Sequence, residues 1–180
     1  MFALVAAILV FVPGENHCSY RIVALSFRGR SGMNSSMPPG LTVAISEWDD
    51  DYVAVDIVAT TERFSGKTLI YLSHGDLAQL ARQLDGFPVD RNDVRLVELG
   101  DNEARRSASG YCLLRFHCLD NSGRAAVDVE IWDSVFHYEA ASARFRIGPF
   151  VGSNMDAFVA QLRQAVDVGN FEARLLIWEG

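Results

Sequence analysis

The sequence has very little lysine, since Lys67 is its single example and every other basic residue is an arginine. The 23 acidic residues outnumber the 16 lysines and arginines, and the formal net charge is -7. Binding to a phosphate backbone or to an anionic membrane surface requires clustered basic residues. We therefore expect neither a nucleic acid nor a membrane among the partners. The charge is compatible with a basic protein partner, and acidity also serves solubility in many proteins.

Long apolar runs are absent as well. The run at residues 2–12 is shorter than the roughly 20 apolar residues that a membrane-spanning helix needs. It has the length of a signal-peptide core, but no Lys or Arg precedes it and no small-x-small cleavage site follows it. A buried strand or helix, a signal peptide and a dispensable extension all remain open for this segment.

A flexible linker is predicted after this run, because SFRGRSGMNSSMPPG is rich in serine, glycine, arginine and proline. It carries Met33 and Met37, and either could be the true start of the protein. We expect residues 1–40 to be an N-terminal extension and linker outside the fold. Residues 41–180 are expected to form a single α+β domain.

Cysteine and histidine are too few and too scattered for a recognisable metal or thiol centre. Three cysteines is an odd number, which favours a reducing cytoplasm over a secreted, disulfide-bonded domain. His74 lies at the start of a predicted helix, and no serine or cysteine nucleophile is suggested beside it. FSGKT, around Lys67, lacks the first glycine of a phosphate-binding loop and leads into a strand. We therefore predict no catalytic residues, no metal ligands and no cofactor.

What the sequence does contain is a strongly patterned hairpin, YCLLRFHCLDNSGRAAVDVEIWD, at residues 111–133. DNSG is a turn sequence, and pairing Leu119 with Arg124 sets the register. One face then carries the pairs Cys112–Ile131, Leu114–Val129, Phe116–Val127 and Cys118–Ala125, and the other carries Tyr111–Trp132, Leu113–Glu130, Arg115–Asp128 and His117–Ala126. A slip of one residue would destroy both sets. The two cysteines are about 20 Å apart along the strand, so they cannot share a metal or a disulfide and are predicted to be core residues.

The remaining segments repeat one order of elements. LTVAISEW, YVAVDIVAT and KTLIYL are typical of strands, SHGDLAQLARQLDGFP of a capped amphipathic helix, and DVRLVELG of a further strand. The second half continues with the hairpin, ASARFRIGPF, SNMDAFVAQLRQAV and FEARLLIWE. The sequence predicts an α+β fold, with a largely antiparallel sheet, two helices packed on it, and two similar strand-strand-strand-helix-strand halves.

The two predicted helices match when the sequence is shifted by 78 positions. Their apolar faces are Leu77, Leu80, Ala81 and Leu84 in the first helix, and Met155, Phe158, Val159, Leu162 and Val166 in the second. Ser73 and Asp76 predict a capping box at the first helix, and Gly86 is predicted to end it in the left-handed conformation. Ser153 or Asn154 is predicted to cap the second. Either an internal duplication, or two unrelated halves that pack in the same common way, would explain this match.

EWDDDY contains the densest acidic cluster in the sequence. Three adjacent aspartates do not give the alternate, converging ligands of a calcium loop, and no glycine accompanies them. A solvated hairpin turn and a contact with a protein both fit the pattern. Because exposed aromatic residues are enriched at interfaces, we predict a partner-binding surface formed by Trp48, Asp49, Asp50 and Asp51.

Three segments, ERFSGKTLIYLSHGDLAQLARQLDGF, LLRFHCLDNSGRAAVDVEIW and SARFRIGPFVGSNMDAFVAQLRQAV, combine strands, short polar turns, capped helices and a hairpin. Over roughly residues 41–167 this pattern resembles small bacterial proteins classed near the immunity protein of wall-associated, contact-dependent toxins. The resemblance implies a cytoplasmic, cofactor-free binder that neutralises a toxin. Its motifs are patterns of residue type, so it implies no site residues.

Together these features favour a non-enzymatic protein-binding domain, with a toxin-neutralising immunity protein as the particular case and a basic toxin domain as its partner. The alternative is a small-ligand-binding or enzymatic domain with a pocket between the two halves, where pockets often form. An acidic face with exposed aromatic residues would favour the first hypothesis. A pocket lined by converging polar groups would favour the second.

A chain that starts at Met33 should unfold within a few degrees of the full-length chain, because a linker separates the apolar run from the predicted domain. Thermal unfolding followed by circular dichroism measures this. Insolubility of the shortened chain, or a large fall in its melting temperature, would show that residues 1–32 belong to the fold.

Overall fold

The computed structural model describes residues 7–11, 20–24, 38–100, 109–136, 139–164 and 171–177. Contacts divide the chain into two units, Met1–Ser36 and Met37–Gly180. The first unit contains β1 (Ala7–Phe11) and β2 (Tyr20–Ala24), which form an antiparallel pair. Most of the predicted linker lies outside the described residues. That residues 1–32 add little to the fold stays a prediction.

The second unit consists of two antiparallel sheets of four strands and two helices, which confirms the predicted α+β class. Its elements are β3 (Gly40–Trp48), β4 (Val53–Thr60), β5 (Ser65–Leu72), α1 (His74–Leu84), β6 (Val94–Gly100), β7 (Tyr111–Cys118), β8 (Ala125–Phe136), β9 (Glu139–Phe150), α2 (Gly152–Gln164) and β10 (Glu172–Leu176). One sheet has the order β10-β3-β4-β5, and the other has the order β6-β7-β8-β9. The antiparallel strands thus divide between two sheets.

The repeated order of elements is present, but each half gives its last strand to the sheet of the other half. β6 closes the first half and pairs with β7, placing Val97 opposite Leu114. β10 closes the second half and pairs with β3, placing Ala173 opposite Val43. All four of these side chains are buried. The buried residues of both halves form one continuous hydrophobic cluster.

The two helices bury equivalent faces and contact each other. The buried positions are Leu77, Leu80, Ala81 and Leu84 in α1, and Met155, Phe158, Val159 and Leu162 in α2, as the shift of 78 positions predicts. Val166 lies outside the described residues. A spacing of three, four and seven residues places such side chains on one side of a helix. Gly86 has a φ of 66°, the left-handed conformation predicted for the end of α1.

The starts of the two helices are built alike. In α1 the backbone N–H of Ser73 donates to the Asp76 carboxylate at 2.7 Å. In α2 the N–H of Val151 donates to Asn154 Oδ1 at 3.2 Å. The prediction that Ser153 or Asn154 caps α2 is wrong, because the helix already begins at Gly152. Asn154 instead supplies the acceptor that reaches back to the preceding turn, the role that Asp76 has in α1.

The predicted register of the β7–β8 hairpin is confirmed over all eight pairs, from Tyr111 opposite Trp132 to Cys118 opposite Ala125. Cys112 is buried as expected. Cys118, at the end of the strand, is only partly buried and its thiol lies 3.3 Å from the carbonyl oxygen of Asp90. Both thiols are free.

The two sheets meet where β5 crosses β8. The hydroxyl of the buried residue Thr68 donates to the carbonyl oxygen of Trp132 at 2.9 Å. Beside this bond, the N–H of Gly110 donates to the carbonyl oxygen of Leu69 at 2.8 Å. A Cβ on Gly110 would lie 1.8 Å from the Thr68 hydroxyl oxygen, so only glycine fits at this crossing.

Replacing Phe116 by alanine should lower the free energy of unfolding by about 3–5 kcal/mol, as truncation of a large core side chain does. Its ring is fully buried and packs edge-to-face on Phe87, with centroids 6.0 Å apart. Urea denaturation measures the change. Arg115→Ala is the matched control on the opposite face of β7, and it should cost less than about 1 kcal/mol. Equal losses in the two variants would contradict the assignment of the faces.

Candidate functional site

The predicted acidic segment forms the turn between β3 and β4. The N–H of Asp49 donates to the carbonyl oxygen of Tyr52 at 3.0 Å and closes the turn. The N–H of Asp50 donates to the Asp49 carboxylate at 2.6 Å. All three aspartates are exposed. Trp48, the last residue of β3, has 40% of its surface exposed. The four predicted residues therefore lie together at the surface, and their role in binding stays a prediction.

His74 holds this turn against the start of α1. Its Nε2 lies 2.8 Å from the carbonyl oxygen of Asp49. Because a carbonyl oxygen only accepts, Nε2 is the nitrogen that carries the hydrogen here. The imidazole ring also contacts the Trp48 indole, with centroids 4.8 Å apart and planes tilted by 54°. The sequence suggested no role for His74 beyond the start of a helix, since its partners are about 25 residues away.

Two tyrosines extend the turn into a larger surface. Tyr52 and Tyr71 pack edge-to-face, with ring centroids 5.2 Å apart. The Tyr52 hydroxyl faces the Glu47 carboxylate at 3.5 Å. Glu47 is the main cause that raises the pKa of Tyr52, with burial and Asp49 adding to it. Tyr71 is 43% exposed.

We name this patch the acidic aromatic surface, and it combines four rings with four carboxylates. Its residues are Glu47, Trp48, Asp49, Asp50, Asp51, Tyr52, Tyr71 and His74. β3, the β3–β4 turn, β5 and α1 all contribute residues to it. The prediction from sequence missed Tyr71 and His74, because only the pairing of β4 with β5 brings their segment beside the turn.

A second polar cluster lies on the outer face of the β7–β8–β9 sheet. Asp128 accepts from Nε of Arg146 at 2.6 Å, and Arg115 lies 3.6 Å from its other oxygen. His117 Nε2 is 3.2 Å from the same carboxylate, but the angle is poor for a hydrogen bond. The pKa of Asp128 is lowered, chiefly by the hydrogen bond from Arg146. Three basic groups around one carboxylate make this a cross-strand charge cluster that fixes Arg146.

The candidates for covalent or phosphate chemistry have structural surroundings. Burial raises the pKa of the Cys112 thiol to about 12, so it stays protonated and unreactive. Lys67 forms an ion pair with Asp56 at 3.0 Å on the surface of β5. Within the described residues, no group of three or more His, Cys, Asp and Glu is arranged to hold a metal ion.

An open groove of about 350 Å³ lies between the two halves, where the alternative hypothesis placed a pocket. Its lining consists of Thr61, Glu62, Arg63 and Phe64 from the β4–β5 loop, Phe145, Arg146 and Gly148 from β9, and Ile177. None of these residues was predicted from the sequence to belong to a site. Two local features of the sequence could have indicated this groove: a phenylalanine in the polar loop TERF, and arginines at alternate positions in ARFRIG.

No helix in the described part of the chain is long and apolar enough to cross a membrane. No protein-family model and no curated protein matches the sequence. Among solved structures, the chain is similar to that of the plant transcriptional regulator PBF-2, with a TM-score of 0.37 and 8% identity over 92% of this chain and 82% of that one. A similarity at this level carries no argument about function.

The role of His74 in holding the turn predicts distinct effects for two substitutions. His74→Ala removes both the ring contact and the donor to Asp49, and should cost about 0.5–1.5 kcal/mol, the usual net value of a hydrogen bond. It should also increase the mobility of the Trp48 indole, measured by NMR relaxation of its Nε1–H signal. His74→Phe retains a ring but no donor, so it should restore part of the indole order. Unchanged mobility in both variants would mean that His74 does not hold the turn.

Proposed function

We propose that this chain is a non-enzymatic protein-binding domain whose acidic aromatic surface receives a basic protein partner. The observation that carries the proposal is the exposed Trp48 side chain beside three exposed aspartates. Aromatic residues are enriched at the centre of protein interfaces, and polar residues form the rim around them.

The ordered state of the turn supports this function. Side chains and loops that become ordered only on binding lower the affinity, because their lost freedom opposes association. Here the Trp48 ring already rests on His74, and the Asp49 backbone is hydrogen-bonded on both sides. Tyr52 and Tyr71 likewise pack on each other. The surface therefore needs little further ordering when a partner arrives.

The charge of the surface determines which partner it suits. Asp49, Asp50 and Asp51 are adjacent, exposed and free of ion pairs among the described residues. Like charges this close repel one another, and a basic partner would relieve that repulsion. Charges at the rim of an interface act mainly on the association rate and on its dependence on salt.

The particular case that we propose is a bacterial immunity protein that acts in the cytoplasm and neutralises a basic toxin domain. Its support is the resemblance of the strand, turn and helix pattern over roughly residues 41–167. An inhibitor of this kind needs a pre-ordered surface and no catalytic group, which fits the acidic aromatic surface. The first partner to test is the product of the reading frame adjacent to the gene of this chain.

Replacing Asp49, Asp50 and Asp51 together by asparagine should slow association with that partner about tenfold at low salt, because electrostatic steering is lost. It should also flatten the salt dependence of the association rate and leave the melting temperature nearly unchanged. Surface plasmon resonance at several salt concentrations measures both effects.

The matched control removes the same charge from exposed positions elsewhere, as Asp85→Asn, Asp90→Asn and Asp156→Asn together. It should retain most of the association rate. If the two triple variants bind alike, the acidic aromatic surface is not the binding site. Failure of the wild-type chain to bind the product, or turnover of a small molecule that one substitution abolishes, would contradict the proposed function itself.

A further inference from the structure

Among the described residues, no strand pairs with the outer edge of β9. β9 is the last strand in the order β6-β7-β8-β9, so its hydrogen bonds within the sheet go to β8 alone. The backbone groups on its other side point away from the sheet. Such an edge can accept an extended segment of another chain as a further strand.

The β4–β5 loop turns this edge into a groove. Thr61 fixes the loop, because its N–H donates to the carbonyl oxygen of Phe64 at 2.7 Å and its hydroxyl accepts from the Phe64 N–H at 3.0 Å. The Phe64 ring is 66% exposed. At the foot of the loop, a Cβ on Gly66 would lie 3.6 Å from the Phe145 ring, so β5 rests against β9. Phe64 and Phe145 form the apolar walls of the groove.

The groove is elongated along the strand. Three adjoining depressions of about 350, 290 and 350 Å³ share Phe145 among their lining residues, and together they run from Ser142 to Gly148. Seven residues of β-strand extend over about 20 Å. That length suits an extended peptide better than a compact small molecule.

The lining of the groove carries three arginines, Arg63, Arg144 and Arg146, against two carboxylates, those of Glu62 and Asp128. It is therefore net positive, although the chain as a whole is acidic. Arg63 has no ion pair among the described residues, and Arg144 is 79% exposed with its nearest carboxylate, that of Glu130, at 4.0 Å. Arg146 is held by Asp128. Two copies of β9 pairing with each other would bring these arginines together, which is unfavourable for like charges across a strand pair. A partner with carboxylates is favoured instead.

We propose that β9 and the loop at residues 61–64 form a docking groove for an extended acidic segment of a partner protein, which adds to the sheet beside β9. Backbone hydrogen bonds to β9 provide the affinity. Carboxylates of the segment meet Arg63 and Arg144, and alternate apolar side chains contact Phe64 and Phe145. This groove and the acidic aromatic surface lie at opposite ends of β4, whose eight residues extend over about 26 Å. The two surfaces can therefore be tested separately.

The probe is a synthetic eight-residue peptide of alternating glutamate and leucine with blocked ends. Titrated into the ¹⁵N-labelled full-length chain, it should shift the backbone amide signals of residues 142–148 and of the loop at 61–64. A lysine-leucine peptide of the same length should bind much more weakly. A glutamate-leucine peptide with alternate backbone nitrogens methylated should also lose binding, because it retains the charges but cannot complete a strand pairing.

The variant Arg63→Glu with Arg144→Glu should weaken binding of the acidic peptide about tenfold or more, since two attractions become repulsions. Arg82→Glu with Arg91→Glu makes the same change of charge at exposed positions away from the groove, and should retain the affinity. Phe64→Ala should weaken binding as well. If the Arg63 and Arg144 variant does not fold, the affinity of the wild-type chain for the acidic peptide is measured at rising salt concentration instead. That affinity should fall as salt is added.

Several outcomes would overturn the proposal. Absence of shifts along residues 142–148 at millimolar peptide would remove the groove as a docking site. Equal binding of the methylated peptide would exclude strand addition. Equal shifts with succinate alone would indicate a small-anion site, and concentration-dependent dimerisation through β9, seen by sedimentation and abolished by Phe64→Ala, would indicate a second copy of the chain as the occupant.

Discussion

Each of the two sheets is completed by a strand from the other half of the chain, and the rest of the fold depends on this exchange. α1 connects β5 of one sheet to β6 of the other, and α2 connects β9 of that second sheet back to β10 of the first. The two helices contact each other and bury their apolar faces in the hydrophobic cluster that both halves share. The N–H of Arg174 in β10 donates to Gln161 of α2 at 2.7 Å, so helix and exchanged strand are also tied directly. Because the buried side chains of both halves form one cluster, we expect the two halves to fold interdependently.

The position of β5 determines where the two candidate surfaces form. α1 begins directly after β5, with Ser73 as its cap, so its first residue His74 reaches the β3–β4 turn at the same end of the sheet. At the other end, the β4–β5 loop meets β9 because β5 crosses β8 at Thr68. The same strand pair thus presents an acidic, aromatic end and an arginine-lined groove. Rigid elements position both surfaces, which is the arrangement that favours recognition without large rearrangement.

Segregation of charge gives the chain two kinds of surface despite its net charge of -7. The aspartates of the β3–β4 turn are concentrated at one end, whereas Arg144 and Arg146 of β9 border the groove. The Asp128 carboxylate that pairs with Arg146 is shared with Arg115. The net charge alone describes neither surface. Salt screens the interaction between exposed charges that are more than about 10 Å apart. A partner is therefore selected by the charges of the surface it contacts.

Local patterns in the sequence determined the class of elements, the faces of both helices and the register of the β7–β8 hairpin. These follow from short periods and turn residues: Leu77 and Leu84 lie on one helical face wherever the helix packs, and Phe116 must oppose Val127 once DNSG forms the turn. The tertiary structure alone decided the exchange of β6 and β10, the contact of His74 with Trp48 and the groove beside Phe64. Which strands become neighbours in a sheet cannot be seen in any local pattern of the sequence. It depends on which arrangement buries the hydrophobic core that both halves share. Trp48 and the three aspartates could be predicted from the sequence because they are adjacent in the chain. Tyr71, His74 and Arg63 could not, because only the tertiary structure brings them to the two candidate surfaces.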